Sequence, residues 1–145
     1  MATVLKQISL FLENKPGRLA NVCRIMAEES VNIRALSIAD STDFGVLRLI
    51  VDNPDLAEEK LKSRGVLVNI TEVVGIKVPD RPGGLADALY RLGEEAISVE
   101  YMYAFVGKSD DQAMVILRLD DNVKGIEAVR KHHIELITPE EVYEN

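Results

Sequence analysis

Two short segments hold the residues best suited to binding chemistry. Asn14-Lys15-Pro16-Gly17-Arg18-Leu19-Ala20 recurs as Asp80-Arg81-Pro82-Gly83-Gly84-Leu85-Ala86, at an offset of 66. Each places glycine after proline, just ahead of a segment with helical periodicity. Without a side chain there, a ligand can approach backbone N–H groups at a helix start. Those groups and the helix dipole suit an anion such as an α-carboxylate. Asn14 and Asp80 precede the turns and carry oxygens that can accept from an α-ammonium. The rest of the chain argues against catalysis. It has no Ser/His/Asp order with a nucleophile elbow, no glycine-rich nucleotide loop and no metal-ligand spacing. Its two histidines, His132 and His133, are adjacent. No catalytic residue, cofactor or metal site is expected.

The elements that position these turns can be read from periodicity. Ile8, Leu10 and Leu12 alternate before the first turn, and Val74, Ile76 and Val78 before the second, as in strands. Leu19, Val22, Cys23 and Met26 then recur at helical spacing, as do Leu85, Leu89 and Leu92. Two strands follow in each copy, about 33–39 and 44–51, then 99–106 and 113–119. Leu47-Arg48-Leu49 matches Leu117-Arg118-Leu119 at offset 70, which puts about four extra residues in the second copy, in the 107–112 loop. A second helix, about 54–64, has Asn53 as cap, Pro54 in its first turn, Lys60, Lys62 and Arg64 toward its end, and Gly65 after it. Its counterpart starts after Asp121-Asn122 and ends at His132-His133. Closing strands are expected at 66–73 and 134–138.

The order β-α-β-β-α-β therefore occurs twice. It predicts an α+β fold of two tandem ferredoxin-like units, each an antiparallel sheet with both helices on one face. The expected boundaries are 1–72 and 73–145. Strand reads into strand around Thr71–Val74, with no flexible linker between the copies.

The chain has 145 residues with a formal net charge of −7. Residues 1–72 contribute −1 (9 basic, 10 acidic) and residues 73–145 contribute −6 (8 basic, 14 acidic). That balance disfavours nucleic acid and anionic membranes as partners. A single cysteine, Cys23, excludes an internal disulfide framework. The apolar runs are short, and the N-terminus has no basic segment of the signal-peptide kind. The expected location is the cytoplasm.

The duplicated Asn/Asp-Lys/Arg-Pro-Gly-x-Leu-Ala turn, the helix of about twelve residues and the Val31-Asn32-Ile33 step into the next strand resemble the ACT domain. This is a small-molecule-sensing module found with enzymes of amino-acid metabolism. The resemblance covers essentially the whole chain. It implies a non-catalytic regulatory protein that binds a free amino acid at the interface of ACT units, within one chain or across a homodimer. It also implies that residues entering the second strand share the site with the turn: Asn32 and Ile33 here, Ser98 and Val99 in the second copy. The implied site is thus Asn14, Lys15, Pro16, Gly17, Arg18, Leu19, Asn32 and Ile33, with Asp80, Arg81, Pro82, Gly83, Gly84, Leu85, Ser98 and Val99. Ser98 in place of Asn32 and Gly84 in place of Arg18 make a single asymmetric site a second arrangement. The alternative function is a regulatory subunit that binds and controls a separate biosynthetic enzyme. Plainer roles stand beside these: Pro-Gly as helix initiator, Asn14 as N-cap, Asn32 as turn former, and Cys23 as a core residue.

Overall fold

The computed structural model describes residues 3–13, 15–40, 44–106 and 111–143. The elements run β1 (Leu5–Glu13), α1 (Arg18–Glu28), β2 (Ile33–Asp40), β3 (Phe44–Val51), α2 (Pro54–Ser63), β4 (Val68–Pro79), α3 (Gly84–Glu94), β5 (Val99–Ala104), β6 (Gln112–Leu119), α4 (Asn122–Lys131), β7 (Glu135–Leu136) and α5 (Pro139–Tyr143). Lys6–Thr71 forms the body of one compact unit, joined by Val142 and Tyr143. Glu72–Glu141 forms the body of the other, joined by Leu5. Strand β4 serves both: its first residues close the first unit and its last ones open the second.

Each unit has the ferredoxin-like strand order, β2-β3-β1-β4 in the first and β5-β6-β4-β7 in the second. In the first, Ile8, Leu10, Leu47, Leu49 and Val51 project from the sheet onto Val22, Ile25 and Met26 of α1 and Ala57 and Leu61 of α2. In the second, Val74, Ile76, Val78, Val115, Leu117 and Leu119 meet Ala88, Leu92, Ala128 and Val129. The period-2 and period-3.6 patterns read from the sequence are therefore the two sides of each core.

Strand register corrects the alignment of the copies. Ile8 faces Leu49, and its repeat Val74 faces Leu117. Val74 lies 66 residues after Ile8, but Leu117 lies 68 after Leu49. The second copy therefore gains two residues, not four. The Leu-Arg-Leu match at offset 70 slides β6 by two positions. Such a slip keeps every side chain on its own face and so leaves the apolar pattern unchanged. Residues 41–43, and 107–110 of the loop expected at 107–112, lie outside the described residues.

The C-terminus differs from expectation as well. β7 is two residues long, and a short helix follows it. Thr138 and Glu141 form a capping box: the Glu141 N–H donates to Thr138 Oγ1 (3.4 Å) and the Thr138 N–H to Glu141 Oε1 (3.2 Å). Pro139 occupies the first helical position, where its missing N–H costs nothing. Thr-Pro-Glu-Glu is the signal that the strand reading passed over.

Glu141 has a second role. Lys77, with a side chain only 11% exposed, holds Glu141 at 2.5 Å and Glu135 at 3.2 Å. Burial pushes the Glu141 carboxyl up, but the Lys77 ammonium and the Thr138 hydrogen bonds outweigh it, so the net shift is downward. The hydrogen bond to Glu141, together with Glu135, raises Lys77 against its burial. A lowered carboxyl contributes stability above its unfolded pKa that is lost as pH falls through the folded value. A raised ammonium contributes below its unfolded pKa and loses that as pH rises through the folded one. Lys77→Met is expected to cost up to about 1 kcal/mol at pH 7, with that difference shrinking as pH falls below the carboxylate range. Urea midpoints of both proteins from pH 3 to 7 measure this. A constant difference across that range would show that the ion pairs contribute nothing.

Candidate functional site

Both Pro-Gly turns adopt one conformation. Gly17 and Gly83 sit at the N-caps of α1 and α3 with φ of 86° and 87°, a left-handed geometry that disfavours a Cβ. A Cβ added at either would meet no protein atom within 4 Å, so the space over the turn is open. Among the described residues, neither helix start has a side-chain cap. The other two long helices do: Asn53 accepts from the Leu56 N–H and Asp121 from the Lys124 N–H. An α-helix leaves its first N–H groups without intrahelical partners. Side chains cap these groups where no turn motif exists, whereas at the two turns the first N–H donates to the turn's own backbone, Arg18 to the Lys15 carbonyl (3.3 Å) and Gly84 to the Arg81 carbonyl (3.0 Å). Leu19 and Leu85 anchor the turns by packing on the two cores, while Lys15, Pro16, Arg81 and Pro82 are exposed. Asn14 lies outside the described residues.

The residues entering the second strands stand elsewhere. The turn end of the first sheet is marked by the pairs Glu13–Phe44 and Asp40–Gly45. Asn32 precedes Ile33, which pairs with Val51 at the opposite end. The eleven residues of α1 separate the two ends by about 16 Å. A single unit therefore does not bring Gly17 and Asn32 together, nor Gly83 and Ser98. Ile33 and Val99 pack against the cores.

Asn32 and Ser98 are held alike. The Asn32 N–H donates to Asp52 Oδ1 (2.9 Å), and its carbonyl accepts from the Asp52 N–H (3.1 Å). The Ser98 N–H donates to Asp120 Oδ1 (3.1 Å), with the matching return bond to its carbonyl (3.1 Å). The clamp uses backbone atoms, which is why Asn and Ser can exchange there. Asp52→Ala is expected to cost about 1 kcal/mol, with hydrogen exchange at the start of β2 accelerated and that of α2 unchanged. Uniform acceleration would instead mean that the clamp supports the whole unit.

The turns differ in what surrounds them. The first borders an open cavity of about 720 Å³ lined by Lys15, Pro16, Gly17, Arg18, Ala20, Asn21 and Arg24. Glu13 receives Lys15 at 3.1 Å and Arg18 at 3.5 Å. The hydrogen bond from Lys15, with the charges of Lys15 and Arg18, holds its carboxyl below the usual range. Arg24 donates to Asn21 Oδ1 at 2.6 Å. At the matched positions the second turn has Pro79, Arg81, Gly84, Asp87 and Tyr90. Gly84 is buried, and a Cβ on it would lie 2.1 Å from the Pro79 carbonyl oxygen. Gly84, which the resemblance includes in the site, also fills a close contact between helix start and strand end. Glu13 was not singled out from the sequence. Its signal is a carboxylate ending a strand two residues before a Lys-Pro-Gly turn.

Comparison with known proteins settles the family. A family model described as an ACT domain pair matches residues 2–144. The chain belongs to the ACT domain pair family. The ACT pair is 43% identical to protein BT0572 from Bacteroides thetaiotaomicron and matches its crystal structure with a TM-score of 0.93 over 99% of each chain. The ligand-free regulatory subunit of aspartate kinase from Thermus thermophilus matches with a TM-score of 0.64 at 16% identity, over 88% of this chain and 90% of that one. Aspartate kinase from Synechocystis matches with 0.60 at 17% identity, over 92% of this chain and 26% of the enzyme. These last two share the fold of the ACT pair. No protein of curated function matches the sequence.

Other chemistry-bearing residues of the ACT pair lie at the helix ends. His132 Nε2 lies 2.9 Å from Glu95, which also pairs with Lys131. These two hydrogen bonds, His132 first, lower the Glu95 carboxyl. Arg64 pairs with Glu28 and Glu29 at the equivalent place in the first unit. Glu28 and Glu29 in the first unit and Glu95 in the second thus join the ends of a unit's two helices. His133 ends α4 with φ 57°, the position that Gly65 fills after α2. Cys23 is a partly buried free thiol. Among the described residues no His, Cys, Asp and Glu group could hold a metal, and no helix is long and apolar enough to cross a membrane.

Proposed function

We propose that this ACT pair is a non-catalytic regulatory protein that binds a free amino acid at a Pro-Gly turn. One observation carries the reading. Two of the four long helices begin on an exposed left-handed glycine with no side-chain cap among the described residues, and they are the two that follow the duplicated turn. The N–H groups there and the positive helix end suit an α-carboxylate. Since Asn32 and Ser98 lie a helix length from the turn of their own unit, any part they take in binding requires the turn of a different ACT unit. The proposed roles of Lys15, Arg18, Asn32 and Ser98 follow from that arrangement, as does a homodimer as the assembly to look for.

A thermal-shift panel of the twenty amino acids tests this. A ligand at about 100 times its Kd adds about 2.7 kcal/mol of stability, which raises the melting temperature measurably. One or a few amino acids are expected to stabilise the protein. No shift with any of them at millimolar concentration defeats the proposal.

Control of a separate enzyme is the second reading. It is supported by the match of nearly the full chain to a protein that is itself a regulatory subunit. Affinity purification from the native cell tests it, with a biosynthetic enzyme retained as the expected result.

A further inference from the structure

The ligand class follows from what lies beside the first turn, on the reading that this turn is where the amino acid binds. Next to the 720 Å³ cavity is a smaller one of about 160 Å³, lined by Leu12, Glu13, Lys15, Arg18, Leu19, Ile38 and Gly45. Lys15 and Arg18 border both. The smaller cavity has an apolar floor of Leu12, Leu19 and Ile38, and a charged rim of Glu13, Lys15 and Arg18. Gly45 keeps it open: a Cβ there would lie 3.2 Å from Ile38 Cγ2.

The rim has both charges that a zwitterion needs. Glu13 is a carboxylate facing two cations, so a ligand ammonium can join it while a ligand carboxylate takes up a cation. Arg18 is the better receiver, because its guanidinium has five donors in a planar fork and its contact with Glu13 uses one. The side chain of an amino acid held this way points into the apolar floor. A charged side chain would lose hydration against Leu12, Leu19 and Ile38, whereas an aliphatic or aromatic one gains from leaving water there.

The second unit lacks the set. Pro79 stands at the Glu13 position and Gly84 at the Arg18 position, while register places Ala104 at Ile38 and Ala113 at Gly45. We infer that, of the two turns, only the first is a complete zwitterion site, with Glu13 receiving the α-ammonium, Arg18 joining the α1 helix start in holding the α-carboxylate and the Leu12–Leu19–Ile38 floor receiving an apolar side chain.

Isothermal titration with L-leucine, L-phenylalanine, L-aspartate and L-lysine tests this on the wild type and on Glu13→Gln, Arg18→Gln and Ile38→Asp. Both rim residues are about half exposed, so their variants are expected to fold, and circular dichroism confirms it. Leucine or phenylalanine is expected to bind once per chain. Each rim variant should weaken it by about tenfold, and Ile38→Asp should weaken it as well. Aspartate or lysine binding as tightly, two sites per chain, or unchanged affinity in both rim variants overturns the inference. Binding of a charged amino acid that Gly17→Val abolishes would overturn it while leaving the amino-acid-binding reading intact. Absence of binding by all twenty amino acids overturns both.

Discussion

Gly84→Ala is expected to destabilise the second ACT unit by about 3 kcal/mol, although it adds a single methyl group. The added Cβ would overlap the Pro79 carbonyl oxygen at 2.1 Å. The obstacle is backbone, so no side-chain rotation relieves it. Either α3 moves away from the end of β4, opening the contacts of Leu85, Ala88 and Leu92 with the core, or the turn itself deforms. The neighbouring Gly83→Ala meets open space and bears only the left-handed backbone cost, about 1 kcal/mol. Urea unfolding of both variants separates the two effects. Hydrogen exchange should show the loss confined to α3 and the strands beneath it. If Gly84→Ala costs no more than Gly83→Ala, the helix start does not rest on the strand as described.

Gly17→Val is expected to abolish amino-acid binding at the first turn, lowering affinity by about a hundredfold or more. Gly17 has room for a side chain as far as the protein is concerned, so that side chain would stand in the space a ligand must enter. Its φ of 86° adds strain for a β-branched residue. Gly65→Val controls for that strain, because Gly65 also has positive φ and open surroundings but follows α2. A loss of affinity in Gly17→Val with normal affinity in Gly65→Val assigns the site to the turn. Equal affinity in wild type and folded Gly17→Val would remove the first turn from consideration.

The architecture was legible because each element stated its role more than once. Strand alternation, helix periodicity, Asn53 and Asp121 as caps and Gly65 as terminator agree with one another, and the order repeats. The repeat located both turns, though not how they differ. Gly83 and Gly84 look alike in sequence, yet one needs a left-handed backbone and the other needs the absence of a Cβ against Pro79. The resemblance implies that Asn32 and Gly17 share a site. Within one unit they are a helix apart.

The sequence by itself determined that this chain folds as two ferredoxin-like repeats, each with a Pro-Gly turn ahead of its first helix. Local periodicity and duplicated motifs carry that much, because they depend on residues near one another along the chain. Only the tertiary structure decided the two-residue offset of β6, the close seat of Gly84 and the grouping of Glu13 and Arg18 with Leu12, Ile38 and Gly45. Those depend on which strand lies beside which and in what register. A strand pattern of period two reads the same after a two-residue slip, so the sequence has no means of choosing between them.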